Sequence, residues 1–169
     1  MGLFDPNRSC DLEERLVSLL KERNMTVSTA ESCTGGLIAA AIVNAAGASD
    51  VLNESYITYA NKAKERLVGV SSKTLETFGA VSEQTAREMA VGTARTAGAQ
   101  MGLSSTGIAG PGGGTTEKPV GLVYIGCSMN DQVKVKELHF HGNRMENRLH
   151  TVEEALKLAI SMLVTGEEH

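Results

Sequence analysis

Residues 28–48 read STAESCTGGLIAAAIVNAAGA. The β-rich run TVSTA (26–30) leads into a polar cluster, Glu31-Ser32-Cys33-Thr34. Two glycines and an apolar run follow. Glycine-flanked passage from a short β-branched segment to a longer run with helical spacing predicts a strand, a tight corner and a helix over 36–47. A strand followed by a covering helix is the unit of a layered α/β fold. An ordinary corner of this kind needs a turn and a cap. It does not need a carboxylate, two hydroxyls and a thiol in a row. Ser32 or Thr34 capping the helix is the plain reading. The chemical one is a reactive corner. A hydroxyl or thiol there would sit beside unsatisfied first-turn N–H groups of Thr34, Gly35 and Gly36, which can stabilise an oxyanion.

Working outward, DLEERLVSLLKER (11–23) sets Leu12, Leu16, Leu19 and Leu20 on one helical face, with acids in the first turn and bases in the last. VLNESYITYA (51–60) reads as a strand and NKAKERLVG (61–69) as a short helix. SKTLETF continues with another turn or short helix. Ser82 opens a helix that ends at Gly98 and carries Ala86, Met89, Ala90, Thr93 and Ala97 at helical spacing. QMGLSSTGIA (100–109) is strand-like, and GPGGGTTEKP (110–119) is a loop. VGLVYIGCSM (120–129) and QVKVKELHFH (132–141) form a hairpin through Asn130-Asp131. A last helix starts near Asn143 and turns Leu149, Val152, Leu156, Ala159 and Leu163 inward. The order predicts one α/β domain over 1–169, core about 10–165, layered α/β/α around a mixed sheet.

Composition narrows the function. The 169 residues carry a formal net charge of -4, which gives no basic footprint for nucleic acid. Cys10, Cys33 and Cys127 are odd in number and widely spaced, neither a disulfide framework nor a CxxC zinc pattern. They read as reduced thiols of a cytoplasmic protein. The opening MGLFDPNRSC lacks the basic-then-apolar order of a secretory leader. No apolar run approaches the roughly 20 residues of a membrane span.

Ser32 needs a base. The four histidines, His139, His141, His150 and His169, fall late in the chain and in no triad pattern. ITYANKAKE (57–65) offers Lys62 and Lys64 near the C-terminal end of a strand, where α/β folds collect active-site groups. A lysine base must be neutral, so burial or nearby positive charge must lower its pKa. Cys33 is the rival nucleophile, since a thiol at a helix N-terminus has a lowered pKa. The glycine-rich stretch 107–121 matches neither GxxxxGK[ST] nor GxGxxG. It suits either a phosphate or ribose cradle or a surface loop. Arg144 and Arg148, four apart near a helix start, suit a phosphate, or ion pairs with Glu146 or Glu153. His139 and His141 share a strand face, but spacing suggests no third metal ligand.

AESCTGG (30–36), ITYANKAK (57–64), GAVSE (79–83), TGIAGPGGG (106–114), EKPVG (117–121) and FHGNR (140–144) together resemble the C-terminal domain of the competence/damage-inducible protein CinA. The resemblance runs from about residue 10 to 165. That family includes stand-alone nicotinamide-nucleotide amidases, and its fold is an α/β/α layered domain. The resemblance implies deamidation of nicotinamide mononucleotide to nicotinic acid mononucleotide and ammonia, a step of pyridine-nucleotide salvage with no metal and no cofactor. It implies Ser32 as nucleophile, Lys64 rather than Lys62 as base, and Tyr59 and Thr106 in the catalytic group. It favours Ser32 over Cys33.

The expected substrate contacts are Cys33, Thr34, Gly35, Gly36, Gly107, Gly110, Gly112, Gly113, Arg144 and Arg148. The partner expected is a small-molecule nucleotide, with no nucleic acid and no membrane. Alanine-rich helices are compatible with a homo-oligomer. Asn143 stands where the family pattern has Asp, and Ala60 where Ser is frequent. Two other function classes are a non-catalytic nucleotide-binding module and a metal hydrolase built on His139 and His141.

Overall fold

The computed structural model describes residues 5, 7 and 9–165. His169 and most of the opening segment weighed as a leader therefore lie outside the described residues. Five strands form one sheet: β1 (Val27–Glu31), β2 (Leu52–Ile57), β3 (Met101–Gly107), β4 (Leu122–Met129) and β5 (Gln132–His139). Their order is β2-β1-β3-β4-β5. β1 pairs parallel with β2 and β3, while β3–β4 and β4–β5 are antiparallel. The sheet is therefore mixed, as expected. Asn130 takes a positive φ of 55° in the β4–β5 turn.

Among the described residues six α-helices cover the sheet: α1 (Asp11–Glu22), α2 (Leu37–Val43), α3 (Asn61–Val68), α4 (Ser72–Phe78), α5 (Glu83–Ala97) and α6 (Arg144–Thr165). α1, α2 and α6 pack on one face, and α5, with α3 and α4 against it, on the other. This gives three layers. All five residues of β1 are buried because helices lie on both sides of it, so the alternation read in TVSTA does not mark a wet face. Val27 joins Leu16, Leu20, Ile38, Ile42, Leu103, Ile125 and Leu156 in the larger core. Ala30 points the other way, into a smaller cluster with Val68, Val70, Leu75 and Met89.

The α5 face is built for close approach. A Cβ on Gly102 would lie 2.0 Å from the Ala90 carbonyl oxygen, and one on Gly126 2.7 Å from that of Ala86. Ser104 and Ser128 donate to those same two α5 carbonyls. Ser82 caps α5, its hydroxyl accepting from Thr85 N–H at 3.2 Å. α2 is shorter than expected. It ends at Val43, and Gly47, the expected stop, instead precedes a 3-10 turn, Ala48–Asp50. Among the described residues no helix is long and apolar enough to cross a membrane.

The topology places a crevice. From β1 the chain crosses through α2 to β2 on one side. It returns through α3–α5 to β3 on the other side of β1. The C-terminal ends of β1 and β3 thus diverge around a switch point, where open α/β sheets hold their ligands.

Candidate active site

Three segments meet at that switch point: the corner after β1 (Ser32, Cys33), the segment after β2 (Tyr59, Lys64), and the end of β3 with its glycine loop (Thr106–Gly113). Together with Ala80, Val81 and Arg144 they line a cleft of about 280 Å³.

Ser32 follows β1 directly, its N–H bonded to the Ser105 carbonyl on β3 at 2.9 Å. Lys64 sits in the first turns of α3 with its side chain turned back beneath Ser32. It is 1% exposed. Its Nζ lies 3.1 Å from Ser32 Oγ, 2.7 Å from the Thr58 carbonyl and 3.2 Å from that of Tyr59. Lys62, two residues away on the outer side of α3, is exposed. Burial among neutral acceptors lowers the Lys64 pKa from 10.5 to about 8. An ammonium has three N–H donors for those three oxygens. The neutral amine keeps two on the carbonyls and turns its lone pair to Ser32. Both protonation states fit one geometry.

The expected oxyanion donors need correction. Glu31, the last residue of β1, is 1% exposed and its carboxylate lies under the start of α2. It accepts from Gly36 N–H at 3.0 Å and from Ile38 and Ala39 N–H at 2.9 Å each. Gly35 N–H is also taken, by the Ser32 carbonyl at 3.2 Å. Gly35 and Gly36 thus serve the turn (Gly36 at φ 101°), not the cleft. Thr34 is buried, donating to Glu31 at 2.6 Å and meeting the Ser105 hydroxyl at 2.6 Å. The Cys33 and Thr34 amides remain beside Ser32.

Cys33 differs from expectation as well. Burial, before all else, pushes its thiol up to about 11, with the neighbouring Ser105 hydroxyl opposing. The negative Glu31 carboxylate at the start of α2 adds to the rise.

The two arginines separate. Arg144 lines the cleft, bonded to the Gly110 carbonyl at 2.8 Å and the Tyr59 hydroxyl at 3.2 Å. Arg148 instead clamps the back of the corner, donating to the Cys33 and Thr34 carbonyls at 3.0 Å each. Neither arginine pairs with Glu146 or Glu153 in the described contacts. Gly107, Gly110, Gly112 and Gly113 all border the cleft. The loop they belong to is pinned from α6 by Asn147, whose amide donates to the Ala109 carbonyl at 3.0 Å. Tyr59 stands at the mouth, 62% exposed. Thr106 is a buried part of the cleft wall whose hydroxyl donates to the Ala80 carbonyl at 2.7 Å.

His139 lies on β5, away from the cleft, bonded to Glu137 at 2.7 Å. Among the described residues no group of three or more His, Cys, Asp or Glu is placed to hold a metal. Reasoning from sequence missed Glu31 as a structural centre and Asn147 as a loop anchor. The signal for Glu31 was an acid closing the β-rich run just before a glycine-bearing corner.

A family model described as the CinA C-terminal domain matches residues 9–163. The chain belongs to the CinA C-terminal domain family. A CinA-like protein of Kosmotoga olearia is 57% identical over 137 residues, 81% of this chain and 33% of that protein. The chain spans about a third of the length of the curated relatives it matches. A solved structure of the competence/damage inducible protein CihA from Agrobacterium tumefaciens superposes with a TM-score of 0.88 at 44% identity. It covers 90% of this chain and 94% of that one. A CinA superfamily structure from Klebsiella pneumoniae gives 0.89 at 30% identity, over 94% and 99% of the two chains. The mixed five-stranded α/β fold described above is thus the one these CinA superfamily structures share.

Proposed function

We propose that this CinA-family chain is a serine–lysine amidohydrolase that deamidates nicotinamide mononucleotide to nicotinic acid mononucleotide and ammonia. The observation that carries the reading is a buried lysine, pKa about 8, 3.1 Å from a serine hydroxyl at the floor of a cleft. Such a pair is the activated nucleophile of Ser–Lys hydrolases.

Neutral Lys64 takes the Ser32 proton as Oγ bonds to the carboxamide carbon. The carbonyl π-pair moves to oxygen, beside the main-chain amides of Cys33 and Thr34, which directly follow Ser32. One such donor is worth about 3 kcal/mol of barrier. The tetrahedral centre collapses, the C–N bond breaks, and Lys64 returns the proton to nitrogen, releasing ammonia. Water, deprotonated by Lys64, then attacks the ester carbon; the ester C–O bond breaks, the carboxylate leaves and Lys64 returns the proton to Ser32 Oγ. Arg144 at the mouth suits the 5′-phosphate, and the exposed Tyr59 ring suits the cationic pyridinium. Thr106 stiffens the wall behind the dyad through Ala80.

The test is ammonia release from nicotinamide mononucleotide in EDTA. Wild type and Cys33→Ala should be active, and Ser32→Ala should lose at least about a thousandfold. The rate should climb with pH through about 8, as Lys64 loses its proton. Folded wild type that releases no ammonia would refute the reading and leave a binding module. Loss of activity in EDTA would point to a metal hydrolase.

A further inference from the structure

Resting on that serine–lysine reading, we infer that Glu31 is the positioning residue of the nucleophile: its buried carboxylate holds the corner that aims Ser32 at Lys64. Glu31 is not an ordinary helix cap. A cap residue adjoins its helix and satisfies one amide. Glu31 lies in β1, six residues before Leu37, and its carboxylate reaches past the whole Ser32–Gly36 turn. Five donors converge on it: the Gly36, Ile38 and Ala39 amides and the Thr29 and Thr34 hydroxyls.

The same residue ties down the base. Its carbonyl accepts from Thr58 N–H at 2.9 Å, and the Thr58 carbonyl in turn accepts from Lys64 Nζ at 2.7 Å. One side of Glu31 thus fixes the turn carrying Ser32, and the other fixes the strand end that seats Lys64. The hydrogen bonds also have a sense. A carboxylate only accepts, so the Thr34 hydrogen goes to Glu31. Ser105 must then donate in its 2.6 Å contact with Thr34. This orders β1, α2 and β3 around a single acceptor. It also withdraws the α2 amides from the cleft and leaves those of Cys33 and Thr34 as the pair beside Ser32.

The variant Glu31→Gln keeps the shape but presents N–H groups to part of this ring of donors. Displacing a reacting group by about an ångström can lower rate on the order of a hundredfold. We expect kcat for ammonia release to fall by roughly 30- to 100-fold with KM within about twofold, because Arg144 and the glycine loop are untouched. A fluorophosphonate probe, which labels an activated serine without needing the nucleotide, should label Ser32 more slowly by a similar factor. The pH midpoint of labelling should stay that of wild type, since Lys64 keeps its surroundings.

Thr34→Val, which removes one hydroxyl donor and leaves the amide contacts, should slow labelling about fivefold. It carries the test alone if Glu31→Gln does not fold by circular dichroism. Wild-type labelling rates in the folded variants, or a loss confined to KM or to the folded fraction, would overturn the inference. Ser32 labelled in a wild type that releases no ammonia would sink the amidase reading while the labelling comparison still decides Glu31. No labelling of wild-type Ser32 would overturn both.

Discussion

Glu31 and Lys64 are hidden to the same degree, each 1% exposed. Their surroundings differ in kind. Five donors satisfy the carboxylate, three of them main-chain amides fixed by α2. The lysine meets two carbonyls and a hydroxyl and, among the described residues, has no counter-charge within hydrogen-bond reach. Equal burial therefore produces one group that is locked and one that is poised to lose its charge. The contrast teaches that the partners of a buried ionisable group, not its depth, decide whether it serves structure or chemistry.

Four experiments press on that contrast, in descending order of effect. Lys64→Met should abolish the base and reduce ammonia release by about a thousandfold or more, roughly 4 kcal/mol of barrier. Its urea stability at pH 7 should stay within about 1 kcal/mol of wild type or rise, because a desolvated charge is replaced by an apolar chain of similar length. Glu31→Leu should do the reverse to the fold. It takes the acceptor from five donors, three of them buried, and should lose roughly 3–5 kcal/mol in the same urea titration.

The third experiment is pH-dependence. Below about pH 8 Lys64 is charged in both folded and unfolded chains, and its desolvation weighs fully on the fold. Between about 8 and 10.5 the unfolded chain binds more protons, so wild-type stability should gain from this group as pH rises. The slope contributed is at most about 1.4 kcal/mol per pH unit, and Lys64→Met should lack it. The smallest effect concerns the start of α3. Ala60 precedes it with extended φ/ψ and no side-chain cap. Ala60→Ser should add about 1 kcal/mol, read as a raised melting temperature.

Much of this arrangement is written locally. The strands, the Ser82 cap, the Asn130 turn and the long helix from Arg144 follow from periodicity and turn chemistry, which depend on neighbours in the chain. α2 is cut short where Asn44–Gly47 form turns instead of a last helical turn, a choice the alanine-rich pattern does not reveal. The site was legible in its types more than its roles. Lys62 and Lys64 look alike in NKAK until α3 turns one outward and one inward. Arg144 and Arg148 look alike in NRMENR until one meets the cleft and the other the backs of Cys33 and Thr34. Burial of the Cys33 thiol and the convergence on Glu31 arise from tertiary contacts with β3 and α2. No reading of residues 30–36 alone contains them.

The sheet order has a consequence for assembly. β4 and β5 close through a two-residue turn, so their pairing fixes almost no chain between contacts. β1 and β3 pair Val27 with Met101, across 74 residues of sequence, and β2 pairs along the other edge of β1. Loop-closure entropy makes the hairpin the inexpensive half of the sheet and the parallel trio the expensive half. Ser32 and Lys64 both belong to the expensive half. The reactive pair therefore has no existence in any partly built form of this chain that has only its local contacts.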